Sequence, residues 1–229
     1  MDPQKLYERR WWTLGVLILS LLVIGVDITI LNVALPKIVE DLDASGSQLQ
    51  WIIDSYTIVF ASLLLTVGAI GDKFGRKRML HLGVVLFALF STVAAFSGSA
   101  NGLILARALM GIGGACIFPT TLSILTNVFT DPRERAKAIG IWAGVAGLGI
   151  AIGPLGGGLL LEHFWWGSVF LVNVPLCLAA LVLGWFLIPD SKNPEESKLD
   201  PMGSVLSIVA LFGLLFALIE GKDILRDIN

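Results

Sequence analysis

Three ionisable side chains lie inside otherwise apolar stretches of this 229-residue chain, namely Asp27, Asp54 and Arg107. A charge at the centre of a membrane-spanning helix costs about 2.5–3.5 kcal/mol on insertion scales, so each should face a bundle interior or a water-filled cavity. An acid in such a place can carry a proton or bind a cation. It can also form a buried ion pair that only locks two helices together. The residues alone leave both interpretations open.

A second group of residues forms a charged turn between two apolar stretches. Its sequence runs Gly68-Ala-Ile-Gly71-Asp72-Lys73-Phe74-Gly75-Arg76-Lys77-Arg78. Glycines permit the positive φ angles of a tight reversal. Asp72 can pair with the cations that follow it and with nearby helix ends. A lone turn of this kind is also typical of any charged loop at a membrane surface.

The third group is glycine-rich. Gly149, Gly153 and Gly157 recur every four residues, which predicts a flat helix face that another helix can approach closely. Pro154 lacks a backbone N–H and permits a kink there, and Gly158 extends the glycine-rich run. Simple close packing is the alternative to a functional role. In a neighbouring stretch, the spacing of Arg107, Gly111 and Gly114 places the arginine in a groove of small residues.

Composition sets the class of protein that must position these residues. Apolar residues make up 55% and charged residues 15% of the chain, against about 25% charged in soluble domains. Stretches of roughly 18 or more apolar residues can span the hydrocarbon core. The sequence therefore predicts an all-α, polytopic transmembrane helix bundle. We predict seven spans, at residues 11–33, 48–71, 79–98, 101–126, 137–160, 168–188 and 203–220.

Short polar segments separate the spans, which predicts antiparallel neighbours in one bundle. The first of these segments is Lys37–Ser47. Cys116 and Cys177 lie in apolar runs, so neither a disulfide nor a metal site is indicated. No nucleophile–base pair, and hence no catalytic residue, is predicted, and nothing indicates nucleic-acid binding.

Lysine and arginine are distributed unevenly between the two ends of the predicted bundle. Twelve of these sixteen residues fall on the side of the N-terminus, whereas Lys37, Lys222 and Arg226 fall on the other. Because cytoplasmic loops carry the excess of positive charge, the N-terminus is predicted to be cytoplasmic and the C-terminus outside. The predicted location is the cell membrane.

Four motifs, in order along the chain, resemble the major facilitator superfamily and in particular its drug:proton antiporters with fourteen helices. The stretch from Asp27 through Asn32 to Pro36 resembles that subfamily's first-helix motif, and residues 68–78 resemble the superfamily's loop motif. Arg107 with Gly111 and Gly114 resembles the fourth-helix motif, although Met110 stands where glutamine is common. Gly149-x-x-x-Gly153-Pro154-x-x-Gly157-Gly158 resembles the fifth-helix antiporter motif, and Phe170-Leu-Val-Asn173-Val-Pro175 is similar to another stretch of these transporters.

The resemblance implies roles for individual residues. Asp27 and Arg107 would form a proton or cation site. Asp54, Tyr56 and Asn32 would line the substrate cavity. Gly68, Asp72, Gly75 and Arg76 would form a conformational latch, and the antiporter helix would bend or slide at Gly149, Gly153, Pro154, Gly157 and Gly158. The energy source would be a proton gradient with no cofactor, and no phosphate-binding Gly-x-x-x-x-Gly-Lys-Ser/Thr loop is found.

The resulting hypothesis is a proton-coupled exporter of lipophilic, cationic drugs or antiseptics, with protons, membrane lipids and a C-terminal half as partners. Residues 1–190 would be the N-terminal six-helix half, 191–202 a cytoplasmic linker, and 203–229 a seventh helix with a short tail. Transporters of this type need two pseudo-symmetric halves, so the chain is expected to be a fragment or a truncated gene product. The alternatives are a transporter of the same fold for a specific metabolite or lipid, and a non-transporting scaffold or sensor.

Overall fold

The computed structural model describes residues 3–192 and 201–227, and within these ranges it contains helices and no strands. The helices are α1 (Pro3–Leu42), α2 (Gly46–Phe74), α3 (Arg76–Ala95), α4 (Ala100–Val128), α5 (Pro132–His163), α6 (Ser168–Leu171), α7 (Asn173–Leu187) and α8 (Pro201–Asp227). Six segments, with α6 and α7 counted as one, are long and apolar enough to cross a membrane. The predicted all-α polytopic bundle is thereby confirmed.

Polar residues at the helix starts explain several boundaries. The Ser45 side chain accepts a hydrogen bond from the backbone N–H of Gln48, and the Gln48 side chain accepts one from the Ser45 backbone. This capping box satisfies two N–H groups that the first turn of α2 leaves free. At the start of α4 the Ser99 side chain accepts a hydrogen bond from the Gly102 N–H. Asp131 caps α5, where Pro132 occupies the first helical position.

The first helix is longer than predicted. A polar connection was expected from Lys37 to Ser47, but α1 continues through Pro36 to Leu42. Ala34 and Ile38 on either side of the proline are fully buried, so their packing offsets the backbone hydrogen bond that Pro36 removes. The Lys37 ammonium also donates to the Leu161 carbonyl of α5 at 3.4 Å.

The sixth span, predicted as one helix, is divided into α6 and α7 at Val172. Pro175 has no N–H to donate to the Leu171 carbonyl, so one backbone hydrogen bond of the α-helix is missing at this point. Val172 itself keeps helical backbone angles, with φ −60° and ψ −26°. The span is therefore locally irregular near its beginning but not sharply bent there.

The predicted seventh span corresponds to α8, of which Met202–Leu214 is a shorter apolar segment. This helix packs along α2, and the rings of Trp51 and Phe216 lie 5.8 Å apart. The predicted linker at 191–202 falls largely on residues 193–200, outside the described residues. Its last two positions belong to α8.

Two helices lie at the centre of the bundle. In α1 and α4, 67% and 61% of the most apolar 18-residue window is buried, against 22% in α5. The helix pairs α2–α4, α3–α4 and α1–α5 have the most extensive contacts, and α7 packs on both α1 and α3. The centre of the bundle therefore brings together the two helices that carry Asp27 and Arg107.

Candidate functional site

Asp27 and Arg107 form an ion pair between the two central helices. Arg107 Nη1 lies 2.5 Å from Asp27 Oδ2, and the two side chains are 1% and 0% exposed. Removing both charges from water is expensive, and the pair is stable only if further hydrogen bonds satisfy the remaining polar atoms. The sequence predicted each residue as a buried charge, and the structure brings them into contact.

Asn173, at the start of α7, completes the coordination of the carboxylate. Its Nδ2 donates to Asp27 Oδ1 at 3.0 Å and to Ser91 Oγ of α3 at 3.1 Å. Asn173 and Ser91 are both 0% exposed. Sequence reasoning noted the stretch around Asn173 only as a family resemblance and did not mention Ser91. An asparagine two residues before a proline in an apolar span was the available signal.

The guanidinium of Arg107 has two further contacts, both with α2. Its Nε donates to the Ile52 carbonyl at 3.2 Å. Its Cζ lies 4.5 Å from the ring centroid of Tyr56, within the range of a cation–π interaction. The Tyr56 ring fits against the glycines of α4, since a Cβ on Gly114 would lie 2.7 Å from the Tyr56 hydroxyl. The predicted groove of small residues therefore accommodates a tyrosine that supports the arginine.

The three residues expected in a substrate cavity are placed differently from one another. Tyr56 is 1% exposed and contacts Arg107. Asp54 is half-buried on α2, two residues earlier in the chain. Asn32 is exposed on α1, where its side-chain amide donates to the Ile28 carbonyl at 3.5 Å. Tyr56 therefore belongs with Asp27, Arg107 and Asn173 to one buried group, called here the charged cluster. Asp54 and Asn32 remain at least partly accessible.

The glycines of α5 pack directly on α1 beside Asp27. A Cβ on Gly149 would lie 2.9 Å from the Cα of Gly25, and one on Gly153 would lie 1.9 Å from Thr29 Oγ1. Gly157 contacts Ile30 in the same way. Pro154 is exposed, and a Cβ on Gly158 would meet no other described residue within 4 Å. The α1 contact thus uses three of the five residues assigned to the antiporter helix.

Gly153→Ala is expected to lower the free energy of unfolding by about 1–3 kcal/mol, the usual effect of overpacking. The added methyl would also lie 2.9 Å from the Ile30 backbone nitrogen, so a side-chain rotation cannot remove the clash. Thermal unfolding in detergent measures the loss. Gly156→Ala is the matched control, because a Cβ there meets nothing within 4 Å. Equal midpoints for the two variants would contradict the close α1–α5 contact.

The charged turn between α2 and α3 is joined to α4. Arg76 Nε donates to Asp72 Oδ1 at 2.6 Å, and Ser123 Oγ of α4 donates to the same oxygen at 2.8 Å. Gly75 has φ +123°, a conformation that side chains rarely adopt. Gly68 packs against Pro119, to which an added Cβ would come within 3.5 Å. The four residues predicted as a latch thus link the ends of three helices.

The same turn also reaches the segment after the sixth span. The Arg76 backbone N–H donates to the Ser191 carbonyl at 3.0 Å. The Lys77 ammonium donates to the Trp185 carbonyl at 2.8 Å. At this end of the bundle the Arg10 guanidinium donates to both carboxylate oxygens of Glu134, each at 2.8 Å. Movement of the turn would therefore disturb contacts with both α4 and α7.

A buried ion pair at the centre of a helix bundle, a charged turn tied to α4 and a glycine-lined helix contact are the features expected of a transporter half. The family model described as Major Facilitator Superfamily matches residues 17–222. The chain belongs to this superfamily. Together with the six long apolar helices, this membership makes it a multi-pass membrane protein and a transporter-family chain.

Relatives of known name are similar over nearly the whole chain. It is 47% identical over 209 residues to the multidrug efflux pump LfrA of Mycolicibacterium smegmatis, covering 91% of this chain and 42% of LfrA. It is 43% identical to the methyl viologen resistance protein SmvA of Salmonella typhimurium, with the same coverage of each. It is 39% identical to the puromycin resistance protein pur8 of Streptomyces alboniger, over 94% of this chain and 43% of that protein. The chain thus spans about two fifths of the length of these superfamily relatives.

Proposed function

We propose that this chain acts as the N-terminal half of a proton-coupled efflux transporter that exports lipophilic cations, including drugs and antiseptics. The observation that carries the proposal is the buried Asp27–Arg107 pair between the two central helices. The names of the three relatives, which include a multidrug efflux pump and two resistance proteins, support export of toxic compounds. Methyl viologen is itself a dication, which supports a preference for cationic substrates.

The proposed coupling depends on a change of charge at Asp27. When the Asp27 carboxylate is ionised, it compensates the positive charge of Arg107, and the ion pair holds α1 and α4 together. Protonation would remove one charge of the pair and leave the guanidinium with Ile52 and Tyr56. Because an uncompensated buried charge is strongly unfavourable, the cluster would then rearrange. Proton binding would in this way favour one arrangement of the helices over another.

The half-buried Asp54 and the exposed Asn32 fit a role in substrate selection. Asp54 would attract a cation, and Asn32 on α1 would provide a polar contact on the accessible surface. An apolar site with a single carboxylate accepts many shapes while it selects for charge. We propose that Asp54 and Asn32 face the cavity between the two halves, and that Tyr56 acts through Arg107.

The remaining motif residues would act in the conformational change. We propose that the Asp72–Arg76–Ser123 contacts form a latch that breaks when the cavity changes its facing. The contact of α5 with α1, made through Gly149, Gly153 and Gly157, would then allow the two helices to slide. Gly158 and Pro154 would give α5 freedom to bend outside this contact.

The distribution of lysine and arginine supports a cytoplasmic N-terminus in the cell membrane. Under this orientation the latch lies on the cytoplasmic side, and the ends of α1 and α5 near Leu42 and His163 lie outside. A proton would enter from the outside and leave to the cytoplasm while the drug moves outward.

An efflux assay with a chimaera tests the proposed function. In the chimaera the 209 aligned residues of this chain replace the matching residues of LfrA. Cells producing the chimaera are compared with cells producing this chain alone or LfrA. We expect the chimaera to lower accumulation of a fluorescent lipophilic cation, and a protonophore to abolish the effect. A folded chimaera that leaves dye accumulation unchanged would favour a metabolite or lipid transporter or a scaffold instead. Detergent size-exclusion chromatography establishes that the chimaera is folded.

A further inference from the structure

Asn173 has an unusual arrangement of hydrogen bonds for a fully buried amide. Its nitrogen donates to both Asp27 and Ser91, whereas its Oδ1 is buried with no hydrogen-bond partner among the residues that the structure describes. The orientation follows from chemistry, because an ionised carboxylate only accepts hydrogen bonds. A buried acceptor without a partner is unfavourable. The question is therefore what an amide oxygen contributes at this position.

Protonation of Asp27 would change what the carboxyl needs from its neighbour. A protonated acid is a donor as well as an acceptor. If the amide turned by half a revolution about its Cβ–Cγ bond, it would present Oδ1 to that new donor. Ser91 is equally adaptable, since its hydroxyl now accepts from Asn173 and points its proton at the weak acceptor Met110 Sδ, 3.9 Å away. After the turn the hydroxyl could donate to Oδ1.

We propose that Asn173 is a positioning residue that matches both charge states of Asp27, by donating to the carboxylate and, once turned, accepting from the protonated acid. The proposal rests on the proton-carrying role proposed for Asp27. It also connects that role to the sixth span. Asn173 is the first residue of α7, next to the irregular turn at Val172 and two residues before Pro175. A rotation of the Asn173 amide would therefore act on the backbone next to the break between α6 and α7.

Among the described groups around Asp27, Asn173 is the one suited both to donate to the carboxylate and to accept from the protonated acid. Within the described part of the chain, titratable groups close to Asp27 include Arg107 from α4, the Tyr56 phenol from α2 and the Cys177 thiol from α7. The phenol and thiol are ordinarily neutral near pH 7 and the guanidinium is ordinarily charged. From α3 the contact is Ser91, which reaches Asp27 through Asn173. The glycine face of α5 packs on Gly25, Thr29 and Ile30 of α1 and adds no titratable group.

Infrared spectroscopy of the purified full chain in lipid nanodiscs tests the proposal. The C=O band of the protonated Asp27 acid, assigned by its loss in Asp27→Asn, is followed as pH changes. In Asn173→Leu we expect half-protonation of Asp27 to occur about one pH unit higher, because the donor bond to the charged form is the stronger of the two that are lost. The acid band should also move to higher wavenumber, since its proton has lost the amide acceptor.

Controls separate this role from general damage to the fold. Asn127→Leu, at an exposed asparagine of α4, should leave both the midpoint and the band position unchanged. Should Asn173→Leu not fold, Asn173→Ser decides the question, because its shorter hydroxyl side chain falls short of Asp27 and the same two shifts are expected. An unchanged midpoint in a folded variant would overturn the positioning role. A raised midpoint with an unchanged band position would overturn the turning of the amide.

These outcomes are distinguishable from failure of the proposed function. If Asp27→Asn leaves dye efflux intact, the proton-carrying role is wrong whatever the infrared titration shows. If Asp27→Asn abolishes efflux but Asn173→Leu titrates like the parent, only the role of Asn173 is wrong.

Discussion

Asp27→Asn is expected to abolish uphill, proton-driven efflux by the LfrA chimaera while leaving energy-independent exchange of the substrate in place. Asparagine has nearly the same shape and can still accept a hydrogen bond from Arg107, but it cannot take up or release a proton. We expect at least a tenfold loss of pH-driven dye transport in proteoliposomes. Counterflow of labelled substrate without a pH gradient should continue, because the cavity and its walls are unchanged.

The same assay contains the control for this prediction. Asp43→Asn changes an exposed acid in the turn after α1 and should leave both kinds of transport unaltered. Uphill transport at the parental rate in folded Asp27→Asn would show that Asp27 is not the proton carrier. Loss of counterflow as well as uphill transport would show that the substitution damages the fold or the cavity.

Arg107→Leu is expected to have the largest effect on stability. The guanidinium is 1% exposed and binds Asp27 and the Ile52 carbonyl. Its removal leaves a buried carboxylate with Asn173 as its one remaining donor among the described residues. Breaking one partner of a buried pair typically costs about 3–5 kcal/mol. The free energy of unfolding, measured by reversible denaturation in mixed micelles, should fall by this amount.

A second substitution should reverse most of that loss. Adding Asp27→Asn to Arg107→Leu removes the uncompensated buried charge, which is the main cost of breaking a buried pair. The double variant should therefore be more stable than Arg107→Leu alone. Strictly additive losses would contradict the direct pairing.

The Arg10–Glu134 pair provides a comparison at the bundle surface. It has good geometry, with two hydrogen bonds of 2.8 Å, but it lies where the helix ends meet solvent. Arg10→Leu should therefore lower stability much less than Arg107→Leu. The two pairs differ in this way because the Arg10–Glu134 side chains, 12% and 29% exposed, remain accessible to water that can solvate the partner left behind.

Most of the secondary structure follows from local sequence. Long apolar runs require helices in a membrane, because every backbone group must be satisfied within the segment. Ser45, Ser99 and Asp131 set helix starts by capping free N–H groups. The two departures from the predicted elements differ in origin. The irregular turn at Val172 is local, because Pro175 lacks an N–H. The extension of α1 beyond Pro36 is tertiary, because it depends on the burial of Ala34 and Ile38 in the bundle.

The helical periodicity of the sequence also predicted part of the glycine contact between α5 and α1. A residue advances by about 100° around a helix, so Gly149, Gly153 and Gly157 remain on one face while Gly158 falls roughly 140° from Gly153. The sequence therefore determined which glycines share a face. That this face meets Gly25, Thr29 and Ile30 of α1 is a property of the tertiary structure.

The charged cluster marks the limit of sequence-based reasoning for this protein. Hydropathy identified Asp27 and Arg107 as residues that need a partner, because no lone charge is stable in an apolar span. Hydropathy did not identify the partners of Asp27, which are Arg107 and Asn173, 80 and 146 residues further along the chain. The pairing with Arg107 was expected from the family resemblance alone, and Asn173 was not expected as a partner. Helical periodicity determines which residues share a face, but which helix that face meets depends on the packing of the whole bundle. The sequence by itself therefore determined the membrane class, the spans and the buried charges, whereas only the tertiary structure decided how those charges are paired.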